Sequence, residues 1–449
     1  MSSAFAADFS WNGSSLNWNN TANWLENGGS TTNLPGSSDD IVTPTLFTTI
    51  GFNVSSATVA SWTYNSSSNQ AVATTFGSAA DLNITGTLTK SGTGALTFRE
   101  STSSINLSIN HVDLSGGRLT LGRDTDPSTF TIGTADLTGG FLDFVSGGAN
   151  GTITGALTMS GTSTLNLSGQ GLTSANASVT EVNAGSLSSA DSTTVVQANA
   201  NSALNSVHNG TLVLNNTSGT ATYAGIIKSG LNVGNIVNIE KNGNGTQTFS
   251  GLSNTYNGTT VINAGTLLVN GTHTGGGSYT VNNGGTLGGT GSIGLAASTN
   301  ASVLSGGKLN ASSLDSLAFT LSGTGVLDVS GALGGATSML FTLGAPGSTV
   351  ISLSGGGLNI GAGVLNFNDF TFTAGGGFND GVYTLFGGAN ALTGTLGSSL
   401  TGNIAGQSST ISLSGNNVIL TVAAIPEPST WALLAAGLTV VITLRRRHR

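Results

Sequence analysis

The stretch Lys241–Gly271, KNGNGTQTFSGLSNTYNGTTVINAGTLLVNG, decides the fold. Its apolar and β-branched residues come in short runs (TQTF, TTVI, TLLV), and Gly, Asn or Ser stands at each break. Such runs fit a pleated, half-buried surface, while Gly and Asn tolerate the positive φ that tight corners need. No run is long enough, or spaced closely enough to 3.6 residues, to make a helix. The next segment, SYTVNNGGTLGGTGSIG (Ser278–Gly294), repeats the same grammar.

Working outward, a Gly-x-Leu step followed by strand residues recurs along the chain. It stands at Gly86, Gly117, Gly140, Gly155, Gly185 and Gly210, and again at Gly265, Gly285, Gly307, Gly325 and Gly363. A self-similar unit of about 20–25 residues indicates a solenoid. Within units the side chains alternate: Ile105, Leu107 and Ile109 against Asn106 and Ser108, and Leu165 and Leu167 around Asn166, which predicts one buried and one wet face. Three short strands and three corners per unit predict an all-β, right-handed parallel β-helix of about 12–16 coils with capped ends. One unit cannot bury its own apolar face, but stacked units can.

Composition agrees. Of 449 residues, 69 are Gly and only 7% are charged, yet 37% are hydrophobic, so the chain has the apolar residues for a core. Four of its eleven basic residues crowd the last five positions, which leaves an acidic, sparsely charged body. Such a body has no basic stripe to neutralise phosphates, so nucleic acid is excluded as a partner. Cysteine is absent, which removes disulfides and thiolate metal sites.

Four of the five tryptophans (Trp11, Trp18, Trp24 and Trp62) fall within residues 8–64. They are read as an aromatic cap on the open N-terminal coil, in preference to a sugar-stacking platform, because an uncapped coil exposes unpaired strand edges. Phe372–Gly388 interrupts the repeat, with Phe378 and Tyr383 as expected plugs of the last coil. Ala4-Phe5-Ala6 has the form of a signal-peptidase site, so residues 1–7 are read as the remnant of a signal peptide.

The C-terminus, IPEPSTWALLAAGLTVVITLRRRHR, has three physical parts. Pro426 and Pro428 enforce an extended, accessible segment. Trp431–Leu444 carries no charge, and as a helix it would span about 21 Å, short of the roughly 30 Å of a bilayer core. Arg445, Arg446 and Arg447 form a positive membrane stop that keeps the C-terminus in the cytoplasm. Pro426-Glu427-Pro428-Ser429, the apolar run and the arginines together resemble the PEP-CTERM sorting signal of Gram-negative bacteria. That resemblance implies recognition and removal by an exosortase-type enzyme, transient anchoring in the inner membrane through 431–444, and delivery to the outer surface or extracellular matrix. A plain tail anchor and a buried terminal helix are the alternatives, the latter disfavoured because the three arginines abut the apolar run.

Gly243, Gly245, Thr246, Phe249, Ser250, Gly251, Tyr256, Gly258, Thr260, Val261, Gly265, Leu267 and Gly271 resemble the passenger-associated, or autotransporter-associated, β-strand repeat of secreted β-helices. An autotransporter's outer-membrane barrel has no room after Val422, which favours the tag as the export route. The chain then divides into 1–7, the signal-peptide remnant; 8–64, the Trp-rich cap; and 65–371, the repeats, clearest over 241–294. C-terminal strands and cap (372–424) and the tag (425–449) follow.

Chemistry is sparse. His111, His208, His273 and His448 are each expected at the surface, and none has zinc-motif spacing. The densest acidic group is Arg123-Asp124-Thr125-Asp126, with Asp113, Asp136 and Asp143 expected on neighbouring strands or coils. Converging carboxylates there, with Arg118, would suit a β-helix lyase or glycosidase; oxygen-rich corners at Asp124 and Asp126 would suit Ca2+. Solvated loop charges are the favoured reading, with no cofactor and no catalytic residue. The function expected is an exported surface or matrix protein of structural or adhesive type, with extracellular polysaccharide as its partner. The alternative is a carbohydrate-active β-helix enzyme.

Overall fold

The computed structural model describes residues 6–12, 17–43, 49–74, 80–99, 104–122, 128–145, 151–168, 180–198, 209–230, 234–334 and 337–424. Among these residues the fold is all-β, with three single-turn 3-10 helices, at Thr21–Asn23, Ser330–Ala332 and Phe367–Asp369. Its long parallel sheets are compatible with a β-helix. The expected C-terminal helix at 431–444 lies outside the described residues. Among those described, no helix is long and apolar enough to cross a membrane.

Between its two ends, the main ladder is built of strands that pair in parallel with others further along the chain. Phe9 pairs with Ile41, Ile41 with Trp62, Trp62 with Leu88, Leu88 with Val112 and Val112 with Ala135. The column continues through Leu157 to Leu187, and a second one runs from Ala184 through Leu214, Lys241, Ile262 and Val281 to Val303. Two residues before Val303, Ala301 starts a further column through Leu327, Leu358 and Leu392. Nearly every residue of these columns is apolar and buried. Period-two alternation is plain in Ile105–Leu114, where Ile105, Leu107 and Ile109 are buried while Ser108 and Asn110 are exposed. A fully buried Leu or Ile contributes roughly 1.5–3 kcal/mol, so the stacked columns are the main driving force.

Two further parallel sheets share the work along the chain. Eight strands from Thr49–Phe52 to Ile226–Lys228 form one, and seven from Thr220–Tyr223 to Phe370–Ala374 form the other. They hand over where Val195–Gln197 pairs with Ile226–Lys228 and Thr220–Tyr223 pairs with Thr246–Phe249.

The Lys241 repeat has a second copy that composition hid. Lys90-Ser91-Gly92-Thr93-Gly94-Ala95-Leu96-Thr97-Phe98 and Lys241-Asn242-Gly243-Asn244-Gly245-Thr246-Gln247-Thr248-Phe249 share the Lys-x-Gly-x-Gly spacing. Each leads into a strand, Ala95–Arg99 in the eight-stranded sheet and Thr246–Phe249 in the seven-stranded one, though Gly92 alone of the two first glycines takes a positive φ. Both lysines are fully buried at inward positions and fold back onto corner carbonyls. Lys90 Nζ donates to the carbonyls of Ser91 (2.6 Å), Gly92 (3.1 Å) and Gly116 (3.0 Å). Lys241 Nζ donates to those of Gly243 and Ala264. Burial lowers both ammonium pKa values to about 8, which still leaves them charged at neutral pH. The ammonium thus satisfies carbonyls that the corner turns away from the ladder.

At the N-terminal end, Asp8–Trp11 pairs antiparallel with Trp24–Glu26 and parallel with Asp40–Thr43. Trp11, Trp18 and Trp24 are buried and pack edge-to-face, Trp11 on Trp24 at 4.8 Å and Trp18 on Trp24 at 4.9 Å. Trp62 continues the stack onto Phe98 at 5.5 Å. None of the four presents a face to solvent, so a sugar platform there has no exposed rings to work with.

At the other end, parallel stacking runs on past residue 371, because Thr349–Leu365 pairs with Gly381–Leu396. Tyr383 is buried and stacks with Phe378 at 5.7 Å. Antiparallel pairing takes over only beyond it. Asn417–Val422 folds back onto Gly381–Leu396 and onto Gln407–Ser414, which also pairs with Thr401–Ile404.

Candidate functional site

Two sequence expectations about polar residues are corrected by the structure. Asn166, expected on the wet face, is fully buried, because a polar ladder runs through that position. Thr120, Asp143, Asn166 and Gln197 stack in register on successive strands. Asn166 Nδ2 donates to Asp143 Oδ1 at 2.5 Å, and Gln197 Nε2 donates to Asn166 Oδ1 at 3.0 Å. Arg118 Nη1 donates to Asp143 Oδ2, and its guanidinium lies 4.4 Å over the Phe141 ring. Burial pushes the Asp143 carboxyl up, while Arg118, Asn166 and Thr120 pull it back. Asp143 is fully buried, so its carboxylate does not face solvent.

His273, expected at the surface, is also buried. Its ring stacks on Tyr256 with centroids 3.9 Å apart. A closed chain of hydrogen bonds accounts for every polar atom there. Thr260 Oγ1 donates to Tyr256 Oη (2.9 Å), which donates to Tyr279 Oη (2.9 Å), which donates to His273 Nδ1 (2.8 Å). His273 Nε2 donates in turn to the Tyr256 carbonyl (2.6 Å). This direction requires a neutral imidazole with its proton on Nε2. Burial lowers the His273 pKa to about 4 and keeps the ring neutral.

The third polar cluster is on the outer face. His111 and Asp113 alternate outward on Ile105–Leu114, and in the next strand, Thr129–Leu137, they align with Thr134 and Asp136. His111 Nε2 stands 2.9 Å from Asp113 Oδ1 and 3.7 Å from Asp136 Oδ2. Its Nδ1 is 2.7 Å from Thr134 Oγ1. The two carboxylates are about half exposed. The structure thus brings Asp113 and Asp136 together and places Asp143 on a different sheet beside Arg118. Arg123, Asp124 and Asp126 lie outside the described residues, as do His208 and His448.

His111 was not singled out with the acidic residues, yet its neighbours carried a signal. Asp113 and Asp136 are 23 residues apart, as are His111 and Thr134, so one local coil length superimposes both pairs.

The sorting residues Pro426, Glu427, Pro428, Ser429, Arg445, Arg446 and Arg447 lie outside the described residues. What precedes them is described: the last strand ends at Val422, sealed by pairing on both sides with Gly381–Leu396 and Gln407–Ser414. The chain therefore leaves a finished sheet immediately before the Pro-Glu-Pro segment.

Comparison with known families matches two short segments. No curated protein and no solved structure matches the chain. Residues 239–269 match the passenger-associated-transport-repeat family, and this segment contains Lys241, the corner it caps and Tyr256. Residues 424–447 match the PEP-CTERM protein-sorting motif. That motif implies an exported protein recognised by an exosortase-type sorting enzyme. The chain carries a passenger-associated-transport repeat within its stacked strands and ends in a PEP-CTERM sorting motif.

Proposed function

We propose that this chain is a right-handed parallel β-helix delivered to the outer surface or extracellular matrix of a Gram-negative cell, where it serves a structural or adhesive role. The single observation that carries this reading is the PEP-CTERM match at 424–447, which begins two residues after the last strand closes at Val422. The parallel pairing supports right-handedness, since crossover connections between parallel strands are right-handed in about 98% of cases. The apolar run is transiently held in the inner membrane, Arg445–Arg447 fix its cytoplasmic end, and cleavage near Pro426–Ser429 frees the body. The body has no enzymatic role in this reading. Its Ser, Thr and Asn ladders offer polysaccharide many weak hydrogen bonds, which multivalency turns into retention.

The test is removal of residues 425–449 in the producing organism. The reading predicts that the truncated body is exported across the inner membrane but fails to reach the outer surface or matrix. Normal surface display of the truncated protein would overturn it.

A further inference from the structure

We propose that His111, Asp113 and Asp136 form a binding site for a first-row divalent transition metal of the Zn2+ class. One imidazole nitrogen and one oxygen from each of two carboxylates lie within 4.8 Å of one another. Donors held by one tetrahedral Zn2+, at about 2.0–2.2 Å each, stand about 3.4 Å apart. The separations of 2.9 Å and 3.7 Å from His111 Nε2 bracket that value, so side-chain torsions alone can seat an ion between the groups.

Three further features favour a ligand over a chance meeting of surface charges. The first is that the ring is oriented: Nε2 donates to Asp113 Oδ1 at 2.9 Å, and an ion replacing that proton leaves the Nδ1–H tautomer, whose proton Thr134 Oγ1 stands 2.7 Å away to accept. A metal-bound histidine is normally held in this way through its other nitrogen. The second is the scaffold, which is two adjacent strands paired in parallel through eight residue pairs. Sites built on strands hold their geometry better than sites on loops.

The third is the column in which the carboxylates sit. Through this part of the ladder it reads Thr63, Thr89, Asp113, Asp136, Thr158 and Ser188. Likewise His111 lies between Thr87 and Thr134. Hydroxyl residues are the rule in these columns, and the two carboxylates replace them on consecutive rungs. Like charges stacked directly opposite repel, and a divalent cation converts that repulsion into a cross-link between rungs. The imidazole selects against Ca2+ and Mg2+, which prefer all-oxygen shells. The half-exposed carboxylates leave room for water in the remaining coordination position.

The experiment is a calorimetric Zn2+ titration of the untagged full chain after chelator treatment, repeated with Ca2+. One Zn2+ per chain should bind with micromolar affinity or tighter. His111→Ala, Asp113→Asn and Asp136→Asn should each weaken it at least tenfold, and Thr134→Val several-fold, with circular dichroism unchanged. These side chains face outward, so the variants should fold. Histidine-selective NMR should show the His111 ring perturbed through Nε2 by Zn2+. No Zn2+ binding, Zn2+ binding unaffected by His111→Ala, or Ca2+ binding in preference to Zn2+ would each overturn the site.

Discussion

Acidification should weaken the coils around His273 before it touches the rest of the stack. In the unfolded chain the imidazole takes up its proton near pH 6.5; in the folded chain burial delays this to about pH 4. Between these values the unfolded state binds the additional proton, so stability falls as pH falls through this window and is fully present above it. A separation of about 2.5 pH units at 1.36 kcal/mol each corresponds to about 3 kcal/mol lost between pH 7 and pH 4. The structural cause is specific: a proton on Nδ1 removes the acceptor for the Tyr279 hydroxyl and breaks the chain through Tyr256 to Thr260. The assay is hydrogen exchange, corrected for intrinsic rates, on peptides spanning residues 256–281 at pH 7 and pH 4.5. His273→Gln is the comparison: it should lose about 1–3 kcal/mol at pH 7 and show a much flatter pH dependence. Equal pH dependence in the two proteins, or a His273 ring titrating near 6.5 by NMR, would refute the reasoning.

Two further outcomes follow from buried contacts. Arg118→Ala should destabilise the neighbouring coils by about 3 kcal/mol, since it strands the fully buried Asp143 carboxylate, while the double replacement Arg118→Leu with Asp143→Leu should recover part of the loss. Denaturant unfolding of the three proteins decides it, and a double variant worse than Arg118→Ala would count against the pair. Gly265→Val should cost about 2 kcal/mol or more, because Gly265 has φ +65° and a Cβ there would press on the carbonyls of Gly243 and Gly245. An unchanged melting temperature would show that this corner is not the tight turn described.

What was legible in the sequence was whatever obeys period two or forces a corner. Ile105, Leu107 and Ile109 announce their burial because their neighbours are polar, and the buried aromatic cluster near the N-terminus is visible as four tryptophans within residues 8–64. The Asp113–Asp136 approach was legible as spacing, since it matches one coil length. Residues whose partners lie a coil away were not legible. Asn166 and His273 look like surface side chains until Asp143, Gln197, Tyr256 and Tyr279 are stacked upon them. Lys90 and Lys241 carry charge at inward positions because the carbonyls that receive them belong to corners, which no alternation rule can see. Glycine-rich composition also hid the second Lys-x-Gly-x-Gly copy at Lys90, far from the clearest repeat.

The central proposal is a folded body followed by a removable tag. Its most direct test is the intact mass of the protein recovered from the outer surface or matrix of the producing cell. The account predicts a chain ending near Pro426–Ser429, without the apolar run and the arginines. A chain still ending at Arg449 and recovered from the inner membrane would contradict it.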